Sequence, residues 1–405
     1  MYALAERRIV CSEKMVLKLG FVLMVLAVFS GQSMTMNSFE AENIIQQYIH
    51  ENTMYKEQEN NALFLWENSL AEKYGKDKVQ KIDDGVVYVS LIKYINSRRI
   101  KINVAEINRN INKNIEISPL MSANKKSKIN NIASQNNVIV AVNGTYFKQD
   151  TGKPLGALVI NDEIISGPIY ERVGMGISDV GFKTSRIAFT GEIKNKITTI
   201  QIDNINQPRM MYSEVLLYNQ NWGLKSAETK KESVHIAILN DKIIAKSEYP
   251  LYIPDNGFVL SAPKATLKDF ELGDEVAISY SLNPNWEDID HIISGGPYLI
   301  KDGDIFVDPI SQKLKSITGR NPRTAIGYTK ENVMIMVTVD GRKEGLTGVT
   351  LNELANIMKD LGCYEAINLD GGSSTVMYVN GNIYTGSNLK NSISISNALA
   401  VRVKA

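Results

Sequence analysis

Asn332-Val-Met-Ile-Met-Val-Thr-Val-Asp-Gly-Arg342 and Tyr364-Glu-Ala-Ile-Asn-Leu-Asp-Gly-Gly-Ser-Ser-Thr375 flank one short amphipathic stretch, and these three pieces decide the fold. Each outer piece is a run of β-formers ending in an acid, Asp340 or Asp370, followed by glycine. Between them Thr350-Leu-Asn-Glu353 has the form of a helix-opening capping box. Leu351, Leu354, Ile357, Met358 and Leu361 recur at helical spacing, and Gly362 stands where a C-terminal cap belongs. The pattern predicts a βαβ unit. A crossover of that kind makes its two strands parallel, so Asp340 and Asp370 are expected at one carboxyl edge, facing one site.

Gly371 and Gly372 let the backbone approach a ligand closely, and Ser373 and Ser374 offer hydroxyls and main-chain N–H groups suited to an oxyanion. A phosphate-bearing substrate fits that chemistry. A lone Asp-Gly is ordinarily a turn. Two on one sheet edge, one followed by Gly-Ser-Ser-Thr, favour a site.

The chain has 405 residues, 44% of them hydrophobic, which allows two or three domains and a sizeable core. Lys+Arg 45 against Asp+Glu 44 gives a net charge of +1, so electrostatics make no case for nucleic acid and none is expected as a partner. Arg7, Arg8, Lys14 and Lys18 precede or enter the apolar run Leu19–Phe29, which ends in Ser30-Gly-Gln-Ser33. Residues 1–31 read as a secretory signal peptide, or as a signal anchor if uncleaved. Either way the chain is expected outside the cytoplasmic membrane, secreted or anchored, in a bacterial setting. Cys11 lies before the apolar run and Cys363 ends a helix, so no intramolecular disulfide is expected and Cys363 is a small core residue.

Residues 37–81 carry Ile44, Ile45, Tyr48 and Ile49, then Leu63, Phe64, Trp66 and Leu70, with charges between, the pattern of two amphipathic helices forming an appendage. From Gly85 to the end the texture is that of one domain. Four stretches, 159–165, 237–244, 298–306 and 377–384, each place a polar turn pair between β-formers and predict hairpins. Helical interruptions are expected at 122–136, 264–270 and 351–361. The fold class is therefore α+β, a mixed, mostly antiparallel sheet with hairpins and a βαβ unit carrying the site, and with a subdomain near 190–285.

Polar islands interrupt the other strands: Asn143-Gly-Thr-Tyr-Phe147, Ser294-Gly-Gly-Pro297 and Arg323-Thr-Ala-Ile-Gly327. A guanidinium is a two-pronged phosphate partner, an amide can bind sugar hydroxyls, and Gly295 and Gly296 expose main-chain donors. Each is weak alone, since Asn-Gly is usually a turn and a single Arg a surface charge. With Pro154-Leu-Gly156, Asn206-Gln-Pro-Arg209, Leu217-Tyr218, Asp255-Asn-Gly-Phe-Val-Leu260, Asp340-Gly341, Asn368-Leu-Asp-Gly-Gly-Ser-Ser374 and Ser396-Asn-Ala-Leu399, their order resembles the phosphodiester glycosidase family. That family often has three glycines where this chain has Gly371-Gly372, and residues 40–81 have no counterpart in its pattern.

The resemblance implies an exported hydrolase that cleaves the C1–O bond of a sugar 1-phosphodiester in envelope or extracellular polysaccharide. Asp340 and Asp370 would be catalytic. Arg323 and the Gly371-Gly372-Ser373-Ser374 loop would take the phosphate, with Asn143, Gly295 and Gly296 on sugar or phosphate oxygens. A metal-dependent phosphoesterase is the enzymatic rival, but His50, His235 and His291 are isolated in sequence. No cofactor is identified, while the many Asp and Asn residues leave an oxygen-ligated Ca²⁺ open. The non-enzymatic rival is an envelope glycan-binding protein on the same fold.

Overall fold

Helix Leu351–Asp360 opens on the expected capping box: Thr350 accepts from the Glu353 N–H at 3.2 Å and the Glu353 carboxylate accepts from the Thr350 N–H at 3.0 Å. It closes at Gly362, whose φ of 88° suits glycine. The strands it joins, Met334–Val339 and Glu365–Asn368, are not paired with each other. Strand Arg323–Tyr328 lies between them and is antiparallel to both. The direct βαβ pairing is therefore corrected to a crossover past one intervening strand. The two strands still run the same way and end at the same edge, two strand spacings or about 10 Å apart.

The computed structural model describes residues 38–122, 126–208, 214–228, 232–386 and 394–404. The expected leader, residues 1–31 with Cys11, lies outside the described residues, as does Arg209. Among the described residues no helix is long and apolar enough to cross a membrane. The chain divides into two units, Met1–Ser69 and Leu70–Ala405.

Where two helices are expected there is one, Ser38–Tyr74, which contains no glycine or proline to stop it before Gly75. In the first unit Tyr48, Ile49, Met54, Phe64 and Leu65 are exposed. In the second, Lys73 and Tyr74 both reach the buried Glu106 carboxylate, Lys73 at 2.7 Å. Strand Val79–Asp83 begins inside the stretch expected to be helical and turns back at Gly85, φ 74°.

The central sheet has eight strands, in the order Val79–Asp83, Val86–Ile95, Arg98–Ile107, Met334–Val339, Arg323–Tyr328, Glu365–Asn368, Tyr298–Lys301, Asp304–Ile305. One face, including Tyr88, Ala105, Met336, Ile326, Ile367 and Leu369, packs on two five-stranded sheets that contribute Val140, Met377, Leu399, Leu158, Met175 and Ile293. A second core gathers Ile193, Leu217, Ile236, Leu260 and Phe270. The four expected hairpins form, and their turn pairs Asn161–Asp162, Asn240–Asp241, Asp302–Gly303 and Asn380–Gly381 all have positive φ, matching the strand twist. The only parallel pair among the described strands is Asn204–Ile205 with Leu216–Tyr218. The helix expected at 122–136 shrinks to Ile129–Ser134, and 264–270 is a run of turns burying Leu267 and Phe270.

Candidate active site

Strand alternation decides which aspartate faces what. Val339 pairs with Arg323 and Ala325 with Asn368, so continuing the register sets Asp370 opposite Arg323 and Asp340 one residue past it. Successive side chains leave a strand on opposite faces, so Asp340 and Arg323 diverge. The contacts agree. Asp340, 1% exposed, accepts from Asn103 Nδ2 at 3.3 Å and pairs with Lys343 Nζ at 2.7 Å, and Asn103 also donates to Thr338 and accepts from Tyr88. Both carboxylate oxygens are therefore held in a network that does not contain Asp370. The expectation of two carboxylates converging on one pocket is corrected to two neighbourhoods on one edge.

Asp370 is half-buried where strand Glu365–Asn368 gives way to the glycine loop. Its Oδ1 accepts from the Gly371 N–H at 2.9 Å and its backbone carbonyl accepts from Asn143 Nδ2 at 2.7 Å. Burial pushes its carboxyl up to about 6, against the lowering effect of the Ser374 hydroxyl and the Gly371 N–H. Beside it stands Tyr146, whose hydroxyl donates to the Gly296 carbonyl at 2.9 Å and accepts from Asn368 Nδ2 at 3.0 Å. Burial first, and then the Asp370 charge, push the Tyr146 phenol up, while Arg172 and Arg323 pull it down. The Arg172 guanidinium lies 5.3 Å from the centre of the Tyr146 ring.

Most of the donors expected to meet substrate already have partners. Arg323, 2% exposed, donates from Nε to the Val349 carbonyl at 3.2 Å and from Nη2 to the carbonyls of Ile317 and Gly319. Only its Nη1 has no partner among the described residues. Gly295 N–H bonds Val173 and Gly296 N–H bonds Asn368, so these glycines serve a close backbone approach: a Cβ on Gly295 would run into the Asn368 carbonyl. Gly372 N–H bonds Pro322, and Ser374 N–H closes back on Gly371. Ser373 is exposed. Asn143 Oδ1 accepts from Thr324 Oγ1 at 2.6 Å and from the Val376 N–H at 3.1 Å, so this amide braces the Asp370 loop.

Three groups that sequence reasoning did not single out complete the site. Tyr146 and Asn368 sat inside quoted motifs without a role. Arg342, exposed, with φ 53°, extends over Gly372 and donates to Asn321 Oδ1 at 2.7 Å. Its position after Asp340-Gly341 was the available signal. Buried oxygens without a partner gather here too: Asn368 Oδ1, Thr145 Oγ1 and Ser294 Oγ. Buried polar groups are ordinarily satisfied, so water or a polar ligand would suit these three oxygens.

Residues 232–402 match the model of the phosphodiester glycosidase family. Mouse N-acetylglucosamine-1-phosphodiester alpha-N-acetylglucosaminidase is 31% identical over 104 residues, covering 23% of this chain and 20% of the mouse protein. The chain thus matches about a fifth of that relative's length. A hypothetical protein from Synechocystis shares the fold with a TM-score of 0.73 at 21% identity, over 80% of this chain and 63% of that one. A Burkholderia pseudomallei K96243 protein described as exported does so with a TM-score of 0.63 at 18% identity, over 76% and 74%. Over residues 232–402, under half of its length, the chain is similar to the phosphodiester glycosidase family.

Proposed function

We propose that the protein is an exported hydrolase that breaks the glycosidic C1–O bond of a sugar 1-phosphodiester in cell-envelope or extracellular polysaccharide. The observation that carries this reading is Asp370: a half-buried carboxyl raised to about 6, beside the Tyr146 phenol, in the loop that the family pattern marks and that Arg342 overhangs at Gly372. A group poised near neutrality can take a proton from water in the transition state. Ionised Asp370 accepts the proton of a water attacking C1. The bond from C1 to the phosphate oxygen breaks, and the phosphate departs as a weak base that needs little protonation. The Arg342 guanidinium offers positive charge to its oxygens. Tyr146 and Asn368, tied together over Gly296, orient the sugar, and Asp340 with Lys343 holds the neighbouring strand end.

Among the described residues no three His, Cys, Asp or Glu side chains gather as a metal-dependent phosphoesterase would need. Export is proposed from the charged N-terminus followed by an apolar run, and the Burkholderia relative described as exported supports it. The test is release of free sugar from N-acetylglucosamine 1-phosphodiesters of both anomers, with Asp370→Asn in parallel. Turnover by the parent and loss in the variant support the reading. Binding without turnover in both identifies a glycan-binding protein instead.

A further inference from the structure

A groove of about 710 Å³ lies among the hairpin turn Asn161–Asp162, Glu163, the Asn219–Gln220 turn, and Asn256 with Phe258 and Tyr280. Its volume lies in the range of about 300–1,000 Å³ that small-molecule sites occupy. It belongs to none of the catalytic groups, although it is built partly from the Asp255-Asn-Gly-Phe258 stretch that the mechanism leaves unused.

The lining has two kinds of surface. Tyr280, half-buried, is fixed by Phe189 stacked at 6.2 Å and by Phe258 meeting it edge-on at 6.1 Å, so its ring is a rigid wall. The remaining lining is dominated by amides and carboxylates: Asn161, Asp162, Glu163, Asn219, Gln220 and Asn256. Several are aimed by their own bonds. Asn219 Oδ1 accepts from Asn206 Nδ2 at 2.6 Å, Glu163 accepts from Asn221 Nδ2 at 2.7 Å, and Gln220 donates to Asp255. A pyranose ring presents an apolar C–H face that suits an aromatic wall and vicinal hydroxyls that suit planar two-atom acceptors and donors. Among the described residues no Lys or Arg lines the groove, whereas Asp162 and Glu163 do. Its charge therefore admits neutral or amine-bearing sugars and disfavours uronic acids.

We propose that this groove is a second sugar-binding site, distinct from the Asp370 pocket, that takes neutral and amine-bearing pyranose units of a glycan chain. The proposal rests on the glycan-hydrolase reading for its substrate class. Groove and pocket are joined through the fold: Asn206 beside Asn219 is followed by Gln207, which bonds Ser166 at 2.8 Å, and Ser166 bonds the Gly156 carbonyl at 2.6 Å. A Cβ on Gly156 would run into Ser294 Oγ, one of the orphan oxygens of the pocket. The two sites are thus mounted on one scaffold.

Calorimetric titration of the full chain with tetramers of N-acetylglucosamine, glucosamine and galacturonic acid tests it. The first two are expected to bind and the third not. Tyr280→Ala is expected to weaken both by about three- to tenfold, the worth of one aromatic contact. Glu163→Gln, at an exposed position, is expected to weaken the glucosamine tetramer more than the acetylated one, while both variants turn over a small soluble sugar phosphodiester at the parent rate. Should Tyr280→Ala fail to fold, Gln220→Ala, also exposed, is expected to weaken the same two ligands. Absent binding, equal binding of the galacturonate tetramer, or affinities untouched by these substitutions overturns the proposal. Parent protein that binds the tetramers yet hydrolyses no phosphodiester supports the groove and refutes the hydrolase. Hydrolysis without tetramer binding overturns the groove alone.

Discussion

Asp370→Asn is expected to move activity and stability in opposite directions. The carboxyl titrates at about 6 in the fold, against about 3.9 in an unfolded chain. Between those values the folded protein holds a proton that the unfolded chain has released, so stability falls as pH rises from about 4 to 6. A shift of about two units, at 1.36 kcal/mol each, bounds the stability lost at neutral pH at about 3 kcal/mol. Asn removes the charge yet still offers an oxygen to the Gly371 N–H and the Ser374 hydroxyl. The variant should therefore equal the parent in stability at pH 4 and exceed it by about 1–3 kcal/mol at pH 7.5, read as urea midpoints at both pH values. Turnover should fall by a factor on the order of 10²–10⁴, the usual worth of a general base. In the parent, log kcat/KM should rise with pH and level off above about 6. A variant less stable than the parent at pH 7.5, or one of near-normal activity, would refute the reasoning and make Asp370 a loop cap.

Three other substitutions separate the remaining roles. Asp340→Asn breaks an ion pair whose carboxylate side is 2% exposed and should cost about 1–3 kcal/mol in denaturant unfolding; a loss of turnover of about 10² or more with stability intact would restore Asp340 as a catalytic group. Arg323→Lys gives up three bonds to carbonyls, so stability should drop by about 2–4 kcal/mol and phosphodiesters and aryl glycosides should suffer alike; selective loss on phosphodiesters at full stability would show that this guanidinium grips phosphate. Arg342→Ala, at an exposed position, should leave the melting curve unchanged and raise KM for phosphodiesters by about three- to tenfold at low salt, less at high salt; an effect indifferent to salt would argue against a charge contact.

What was legible in the sequence was local. Asn-Asp, Asp-Gly and Asn-Gly pairs announce hairpins because those residues tolerate positive φ, and all four hairpins form where they stand. Thr350, Glu353 and Gly362 mark the ends of the crossover helix because capping is decided within a few residues. What was not legible depends on distant pairing. Arg323–Tyr328 enters between the two strands of the crossover, which no local pattern announces, and its register sets Asp340 and Arg323 on opposite faces. Glycine pairs suggest a ligand-facing backbone, but Gly295 is required by the close Asn368 carbonyl, and the Gly372 N–H donates to the Pro322 carbonyl. Tyr146 is one aromatic among many until Asn368 and Gly296 close around its hydroxyl. Helix Ser38–Tyr74 runs through the boundary expected between two helices because it contains no glycine or proline to end it.

Hydrolysis of an N-acetylglucosamine 1-phosphodiester in ¹⁸O-labelled water, with mass spectrometry of both products under single-turnover conditions, decides which bond breaks. Attack at C1 with Asp370 as base places the label in the released sugar and leaves the phosphomonoester unlabelled. Label in the phosphate and none in the sugar would mean attack at phosphorus, and would contradict the glycosidase account.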